Sequence, residues 1–447
     1  MEKIVKFNDF YKLDDIVLNV SNACNRHCKY CYAFTKKGLM SNEIAQKAID
    51  KCYKNHLECN SDKKFNISFY GGEPLLNWDC IKFCLEYCKE QNYDISFGIT
   101  TNLTILTDEM IQYIKDFNIH MLISIDGRKE THDRNRDNSY DLVENNVKKL
   151  FENGLEEQLE ARMTVMPIKC EELVKNIEHL ISLGFKTISP VIVRDTIWEE
   201  KDYENLIKGL NDVWDLYFNK WNENNPVKIK LCDDYVDKDL FVGNKKQQKV
   251  CSAGDCHTCS IGIDGEIMPC HQRHLIDDRN YLLRIGYIDN NEIGAKQPFN
   301  YNLRQSKTYK CEYCQANVIC KGGCPSENWT QNGDPNMMNA TQCNIERIMF
   351  NVARNKIIEL KYYKEKDLCE FLSKVLLNSK ILMHLHDIIE ENNPNIIETE
   401  FFAYYVKNGD IKKLLGLGLF LEENEDKIFP STWTTFNEVL EKYQLDK

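Results

Sequence analysis

Cys24, Cys28 and Cys31 set three thiols within eight residues, directly after the apolar run Ile16–Val20. Three thiolates on one short loop can grip a cubane 4Fe–4S cluster and leave its fourth iron open to an exogenous molecule. A structural zinc site asks for four ligands, usually as two separated pairs, so the alternative is a zinc half-site completed elsewhere. A second group follows at Gly71-Gly72-Glu73-Pro74. Paired glycines let the backbone approach a ligand closely, and a carboxylate accepts hydrogen bonds from an ammonium group. A third group is a long cysteine field: Cys251, Cys256, Cys259, Cys270, Cys311, Cys314, Cys320, Cys324 and Cys343.

The elements that must position these groups are read from apolar periodicity. Strands are expected at Ile16–Val20, Asn66–Tyr70, Ser96–Thr100, Met121–Ile125, Ala161–Val165 and Thr187–Val191. Helical patterns lie between them at Ser41–Cys52, Trp78–Glu90, Asp108–Phe117, Asp141–Gly154 and Cys170–Gly184, the last two closing on glycines suited to a C-cap. Such alternation argues for βαβ units around a parallel sheet, and six repeats predict a partial (β/α)6 TIM-like barrel. Reactive groups then sit at the C-terminal ends of the strands, where the cysteine triplet and the Gly-Gly-Glu-Pro turn both fall. The division expected is a barrel over 1–195, a helical bridge over 196–245, a metal-organised cysteine-rich domain over 246–350, and a helical C-terminal extension over 351–447.

Lys+Arg 57 against Asp+Glu 69 leaves the chain at −12, which gives it no general attraction to nucleic acid or anionic membranes. No apolar run approaches the roughly 20 residues that cross a bilayer, and the charged N-terminus lacks a signal peptide's apolar stretch. A cytoplasmic location is therefore expected. In a reducing compartment 20 cysteines point to metal rather than to disulfides. Cys80, Cys84 and Cys88 recur at i, i+4 and i+8, the spacing of a buried helix stripe, and the isolated Cys52, Cys59, Cys170, Cys232 and Cys369 read as packing residues.

On these motifs the chain resembles the radical S-adenosylmethionine superfamily. The Cys-x3-Cys-x2-Cys loop, with Tyr30 before its last cysteine, matches the superfamily signature, and Gly-Gly-Glu-Pro matches its amino-group motif. The likeness continues through Thr100-Thr101-Asn102, Ser124-Ile125-Asp126-Gly127 and Arg162. It implies that Cys24, Cys28 and Cys31 hold a 4Fe–4S cluster whose open iron is chelated by S-adenosylmethionine. Gly71, Gly72 and Glu73 would receive the cofactor's amine, Ser124 and Arg162 would face its carboxylate, and Thr101 and Asn102 would lie nearby. The C-terminal field resembles the SPASM domain, which implies two auxiliary 4Fe–4S clusters. By that likeness Cys251, Cys270 and Cys324 hold the first, with Cys256, Cys259 or an open position as its fourth site and Cys256 preferred. Cys311, Cys314, Cys320 and Cys343 hold the second.

The resemblance implies cleavage of S-adenosylmethionine to a 5′-deoxyadenosyl radical that abstracts hydrogen from a peptide. Two activities fit: thioether crosslinking of a ribosomally made Cys-rich precursor peptide, and formylglycine formation as in anaerobic sulfatase-maturing enzymes. The second family carries Asp where this chain has His271, and usually Gln where it has Tyr70. These departures favour the thioether maturase. A non-catalytic iron–sulfur electron carrier is the remaining alternative. Implied partners are the precursor peptide with its leader and reduced flavodoxin or ferredoxin. Only 23 residues precede Cys24, so a leader-binding module in its usual N-terminal place is not expected.

Overall fold

A computed structural model of the chain describes residues 4–33, 36–59, 61, 63–223, 227–236, 256–276, 283–294, 311, 314, 316, 320 and 322–363. Its strands are β1 (Ile4–Lys6), β2 (Asp15–Ser21), β3 (Phe65–Gly71), β4 (Ile95–Thr101), β5 (His120–Ser124) and β6 (Leu159–Val165). They continue as β7 (Thr187–Ile192), β8 (Lys228–Ile229), β9 (Thr258–Ile261), β10 (Glu266–Met268), β11 (Gly286–Tyr287) and β12 (Glu292–Gly294). The helices are α1 (Phe7–Phe10), α2 (Asn42–Glu58), α3 (Trp78–Glu90), α4 (Asp108–Asp116), α5 (Lys129–Asn135) and α6 (Tyr140–Glu152). After them come α7 (Leu173–Leu183), α8 (Glu200–Asn222), α9 (Lys230–Val236), α10 (Pro325–Asn332) and α11 (Ala340–Tyr363).

Strands β2 to β7 pair in sequence order and in parallel, giving the six expected strand–helix repeats of the partial barrel. Each strand alternates. The apolar set Ile16, Leu18, Val20, Phe65, Ile67, Phe69, Phe97, Ile99, Met121 and Ile123 is buried in the main core. The opposite set, including Asn66, Ser68, Tyr70, Ser96, Ser124, Arg162 and Thr164, is polar and half-buried. A closed barrel fills its interior with branched aliphatic side chains; this arc leaves a polar inner face. Ser41 and Thr107 cap α2 and α4 by accepting from Ile44 N and Met110 N, and Gly184 ends α7 at φ 113.

The sheet is longer than the six repeats. β9 pairs in parallel with β2, and β10 and β11 follow antiparallel, so the cysteine-rich region extends the barrel's own sheet. The N-terminal segment straps this extension down: β1 pairs with β12, Lys12 N donates to Cys256 O (3.0 Å), and Asp14 N donates to His257 O (2.8 Å). At the other edge β8 pairs, among the described residues, only with Thr187 and Ile188, which leaves room for Pro190 further along β7. No helix among the described residues is long and apolar enough to cross a membrane.

Candidate functional site

The cysteine triplet rides on a loop closed at its base like a hairpin. Asn22 N donates to Gly38 O, Lys36 N donates to Asn22 O (both 3.0 Å), and Ser21 bridges to Leu39. Within the loop Cys31 N donates to Cys28 O (3.0 Å). The three thiols are electrostatic neighbours, and burial pushes Cys28 up to about 11 and raises Cys24. As bare thiols Cys24 and Cys28 stay protonated at neutral pH; coordination to iron is what would draw off the protons.

Tyr30 ties this loop to the barrel. Its hydroxyl donates to Asp126 Oδ2 (2.9 Å), its ring lies 5.2 Å beneath the Arg136 guanidinium carbon, and Lys29 N donates to Asn135 O (2.9 Å). Asp126 is fully buried just past β5, where it also accepts from Arg136 Nε (3.0 Å), Asn135 Nδ2 (3.2 Å) and Thr164 N (2.9 Å). The ion pair with Asp126 and the neighbouring Tyr30 and Cys28 hold Arg136 in its charged form despite burial. Asp126 enters from sequence only within the Ser124–Gly127 motif, with no role of its own, and nothing in the spacing marks Arg136.

The Gly-Gly-Glu-Pro turn presses against the loop. A Cβ on Gly71, whose φ is 153, would meet Ser21 O at 2.2 Å. One on Gly72 would meet Ala23 O at 2.4 Å and Cys24 Cβ at 3.1 Å. Only glycines permit this approach. Glu73 is 1% exposed, and its carboxylate accepts from Leu75 N (3.1 Å), Thr101 Oγ1 (2.7 Å) and Asn102 N (2.7 Å). Burial pushes its pKa up to about 7, and those three donors hold it back. Thr101, expected near the cofactor, is itself buried and directs its hydroxyl to Glu73. Asn102 faces the cysteine loop: its Nδ2 donates to Asn25 Oδ1 (2.9 Å) and lies 4.0 Å from Cys24 Sγ.

Further round the inner face, Ser124 and Arg162 are direct neighbours across β5 and β6. Arg162 Nη1 donates to Ser189 Oγ (3.2 Å). Beside Arg162 stand two phenols, Tyr70 at the end of β3 and Tyr32 after the triplet, their oxygens 3.0 Å apart. The Tyr70 ring meets the His271 ring at 4.2 Å between centroids, and Asn19 Nδ2 donates to His271 O (3.2 Å). Burial, with Arg162 and His274 near, depresses His271 to about 4. Cys31 and Cys270 are electrostatic neighbours of both phenols, so the pair lies between the first cysteine loop and the second cysteine field.

In that field Cys251 lies outside the described residues. Cys256 is half-buried at φ 62, whereas Cys259 is buried on β9 against Cys52 of α2, on the helix-facing side of the sheet. The Cys259 thiol is therefore enclosed beside Cys52, and the Cys256 thiol is not. Cys320 has Cys343 and Cys314 as electrostatic neighbours, and Cys343 has Cys311 and Cys314, so these four thiols are gathered together. Cys324 N donates to Gln342 Oε1 (3.0 Å), and an Arg194–Glu346 ion pair (2.7 Å) fixes α11 to the end of β7. None of the described cysteines is in a disulfide, and Cys80, Cys84 and Cys88 form the buried stripe their spacing implies. No group of three or more His, Cys, Asp or Glu side chains among the described residues could hold a metal ion. A four-iron cube, by contrast, takes its thiolates on separate irons.

The sequence model of the Radical SAM superfamily matches residues 18–181, the segment that builds this rim. The chain carries a radical SAM domain. It is 26% identical over 369 residues to the cysteine-type anaerobic sulfatase-maturating enzyme of Clostridium novyi (strain NT), covering 74% of this chain and 92% of that one. It is 33% identical over 150 residues to the radical SAM cyclopropyl synthase TigE of Paramaledivibacter caminithermalis, covering 30% of this chain and 31% of that one. The fold resembles native anSMEcpe with bound AdoMet, at TM-score 0.63 and 20% identity over 78% of this chain and all of that one. It also resembles Streptococcus suis SuiB bound to precursor peptide SuiA, at TM-score 0.52 and 14% identity over 75% and 77%. A radical SAM enzyme takes a 4Fe–4S cluster and S-adenosylmethionine; an electron from the cluster would cleave the sulfonium and supply a radical that abstracts hydrogen. The thiol triplet, with Cys24 and Cys28 half-buried and Cys31 exposed, and the glycine cradle against Cys24 fit such a pair of groups.

Proposed function

We propose that this radical SAM enzyme installs thioether crosslinks, Cys sulfur to carbon, in a ribosomally synthesised Cys-rich precursor peptide. Cys24, Cys28 and Cys31 hold the reactive cluster. Gly71, Gly72, Glu73 and Asn102 cradle the cofactor's amine end, and Ser124 and Arg162 face its carboxylate. Cys251, Cys270 and Cys324 take one auxiliary 4Fe–4S cluster, with Cys256 as an exchangeable fourth ligand that a substrate thiol can displace, and Cys311, Cys314, Cys320 and Cys343 take another. The observation that carries this reading is the Tyr70–His271 contact on the inner face. By the resemblance, sulfatase maturases carry Asp, serving as general base, at the His271 position and usually Gln at the Tyr70 position. Here an aromatic pair stands instead, so a substrate thiol must lose its proton another way, and binding to an auxiliary iron achieves that.

Formylglycine formation is the second reading, favoured by the coverage of the sulfatase-maturating relative from C. novyi. One experiment separates them. The reconstituted enzyme, S-adenosylmethionine and a reductant are mixed with a Cys-rich precursor peptide or with a sulfatase-derived peptide. Thioether formation removes two hydrogens per bond, about two mass units, while iodoacetamide-reactive thiols fall in step. Conversion of the sulfatase peptide to an aldehyde at comparable rate overturns the first reading.

A further inference from the structure

Gln342 lies in the first turn of α11, next to Cys343, and is 0% exposed. Asn339 caps that helix, its Oδ1 accepting from Gln342 N (2.8 Å). The Gln342 side chain turns back onto the Gly322-Gly323 segment that leads into Cys324, where its Oε1 accepts from Cys324 N (3.0 Å). A Cβ on Gly323, whose φ is 80, would collide with this carboxamide, so only glycine fits beside it. One amide thus ties Cys324, assigned to one auxiliary cluster, to the helical turn that carries Cys343, assigned to the other. Its Nε2 is buried too, yet has no hydrogen-bond partner among the described residues. Protein interiors rarely leave such a donor unused. In the same segment Gly322 N already donates to a cysteine sulfur, Cys320 Sγ at 3.5 Å.

We propose that Gln342 Nε2 donates a hydrogen bond to sulfur of the auxiliary 4Fe–4S cluster held at Cys324 and so raises its reduction potential. The inference rests on the reading that Cys324 and Cys343 ligate auxiliary clusters, and it names the residue that tunes one of them. Thiolate and sulfide are anionic acceptors, and a donor stabilises them more as the cluster gains negative charge on reduction. Thioether formation draws on that property. Joining a carbon radical to a thiolate sulfur makes one C–S bond and leaves one electron over. The hydrogen atom has gone to the 5′-deoxyadenosyl radical and the thiol proton to solvent; the remaining electron passes to the cluster at Cys324. A higher potential there makes that cluster a readier acceptor. Gln342 touches neither the substrate nor the radical; it is a positioning residue that acts through the cluster.

The test is a potentiometric EPR titration of the reconstituted holoenzyme, following the signals that do not change when S-adenosylmethionine is added. Gln342→Met removes the donor without adding charge. Gln342→Glu, in alkaline buffer, keeps an acceptor for Cys324 N and has no proton to give. Both variants should retain the wild-type iron content, and in both the midpoint of one such signal should move to a more negative potential. An unmoved midpoint in a variant with full iron overturns the proposal. Iron loss in both variants also overturns it, because Gln342 is then needed to build the site rather than to tune it. If Gln342→Met alone loses iron, the midpoint of Gln342→Glu decides. A wild-type protein that shows only the S-adenosylmethionine-sensitive signal overturns the auxiliary-cluster reading beneath the proposal.

Discussion

Tyr70 and His271 come from opposite halves of the chain and meet ring to ring, 4.2 Å between centroids and 56° apart in plane. Tyr70 ends β3 immediately before the glycine pair; His271 follows Cys270 in the extension that β9 and β10 add to the sheet. Two separate departures from the sulfatase-maturase pattern are therefore one structural feature. The extension of the sheet makes the contact, because β9 lies directly against β2, whose Asn19 holds the His271 carbonyl.

This pair gives the first prediction. Removing a general base costs roughly 10²–10⁴-fold in rate. His271→Ala should instead slow peptide crosslinking by less than about tenfold, because an aromatic packing group is lost and no base is. A loss of about 10³-fold in kcat, measured by peptide mass spectrometry, would assign proton transfer to the imidazole and return formylglycine chemistry to first place.

Asp126→Asn should damage the protein more than any single cofactor contact. The substitution leaves the Arg136 guanidinium in a buried site without its countercharge, a change that costs about 3–5 kcal/mol. It also weakens the acceptor that holds Tyr30 and the cysteine loop. Expected outcomes are a lower melting temperature and reduced iron uptake on anaerobic reconstitution. Tyr30→Phe, which removes one hydrogen bond of about 1 kcal/mol, should show the same signs more mildly. A full-strength Tm in Asp126→Asn would sink the view that this ion pair anchors the loop.

The strands of the barrel were legible because each buries one apolar face; Asn66–Tyr70, for example, was expected where β3 runs over Phe65–Gly71. α3 was expected at its observed limits for the same reason: Cys80, Ile81, Cys84, Leu85 and Cys88 recur at helical spacing and are all buried. Two features were not legible. α5 reads Lys-Glu-Thr-His-Asp-Arg-Asn, with no apolar period, because its role is to carry Asn135 and lead into Arg136 rather than to cover the core. The pairing of β9 with β2 joins Asp15 to Thr258 through a four-residue strand, too short to declare a partner so distant in sequence. The site divides similarly. Cys24 and Gly72 announce themselves by local spacing, whereas Asp126 with Arg136, and Tyr70 with His271, exist only as long-range contacts.

Iron content tests the cysteine assignments separately from activity. The anaerobically reconstituted protein should bind about twelve irons, and Cys24→Ala/Cys28→Ala/Cys31→Ala should lose about four of them together with all cofactor cleavage. Cys256→Ala should destabilise one auxiliary cluster, seen as lost iron and a changed EPR spectrum, while Cys259→Ala should leave iron unchanged because its thiol packs against Cys52. Equal iron loss in the last two variants would contradict the preference for Cys256. Zinc in place of iron after anaerobic purification would overturn every cluster assignment at once.

The last prediction concerns pH and Glu73. Burial raises its pKa from 4.5 to about 7 in the folded chain, so the folded state keeps a proton that the unfolded chain gives up. Stability contributed by this group is therefore complete below about 4.5, falls as pH rises, and is gone above about 7. The full swing is on the order of 3 kcal/mol at most. Glu73→Gln abolishes the titration; the poorer match of its amide to the donors at Leu75, Thr101 and Asn102 adds an offset that does not vary with pH. Thermal melts of both proteins between pH 5.5 and 8, without S-adenosylmethionine, isolate the effect. Wild-type stability relative to Glu73→Gln should decline from pH 5.5 to about 7 and level off beyond it. A difference that stays flat, or that grows with pH, would mean the three donors outweigh burial and Glu73 is an ordinary ionised carboxylate.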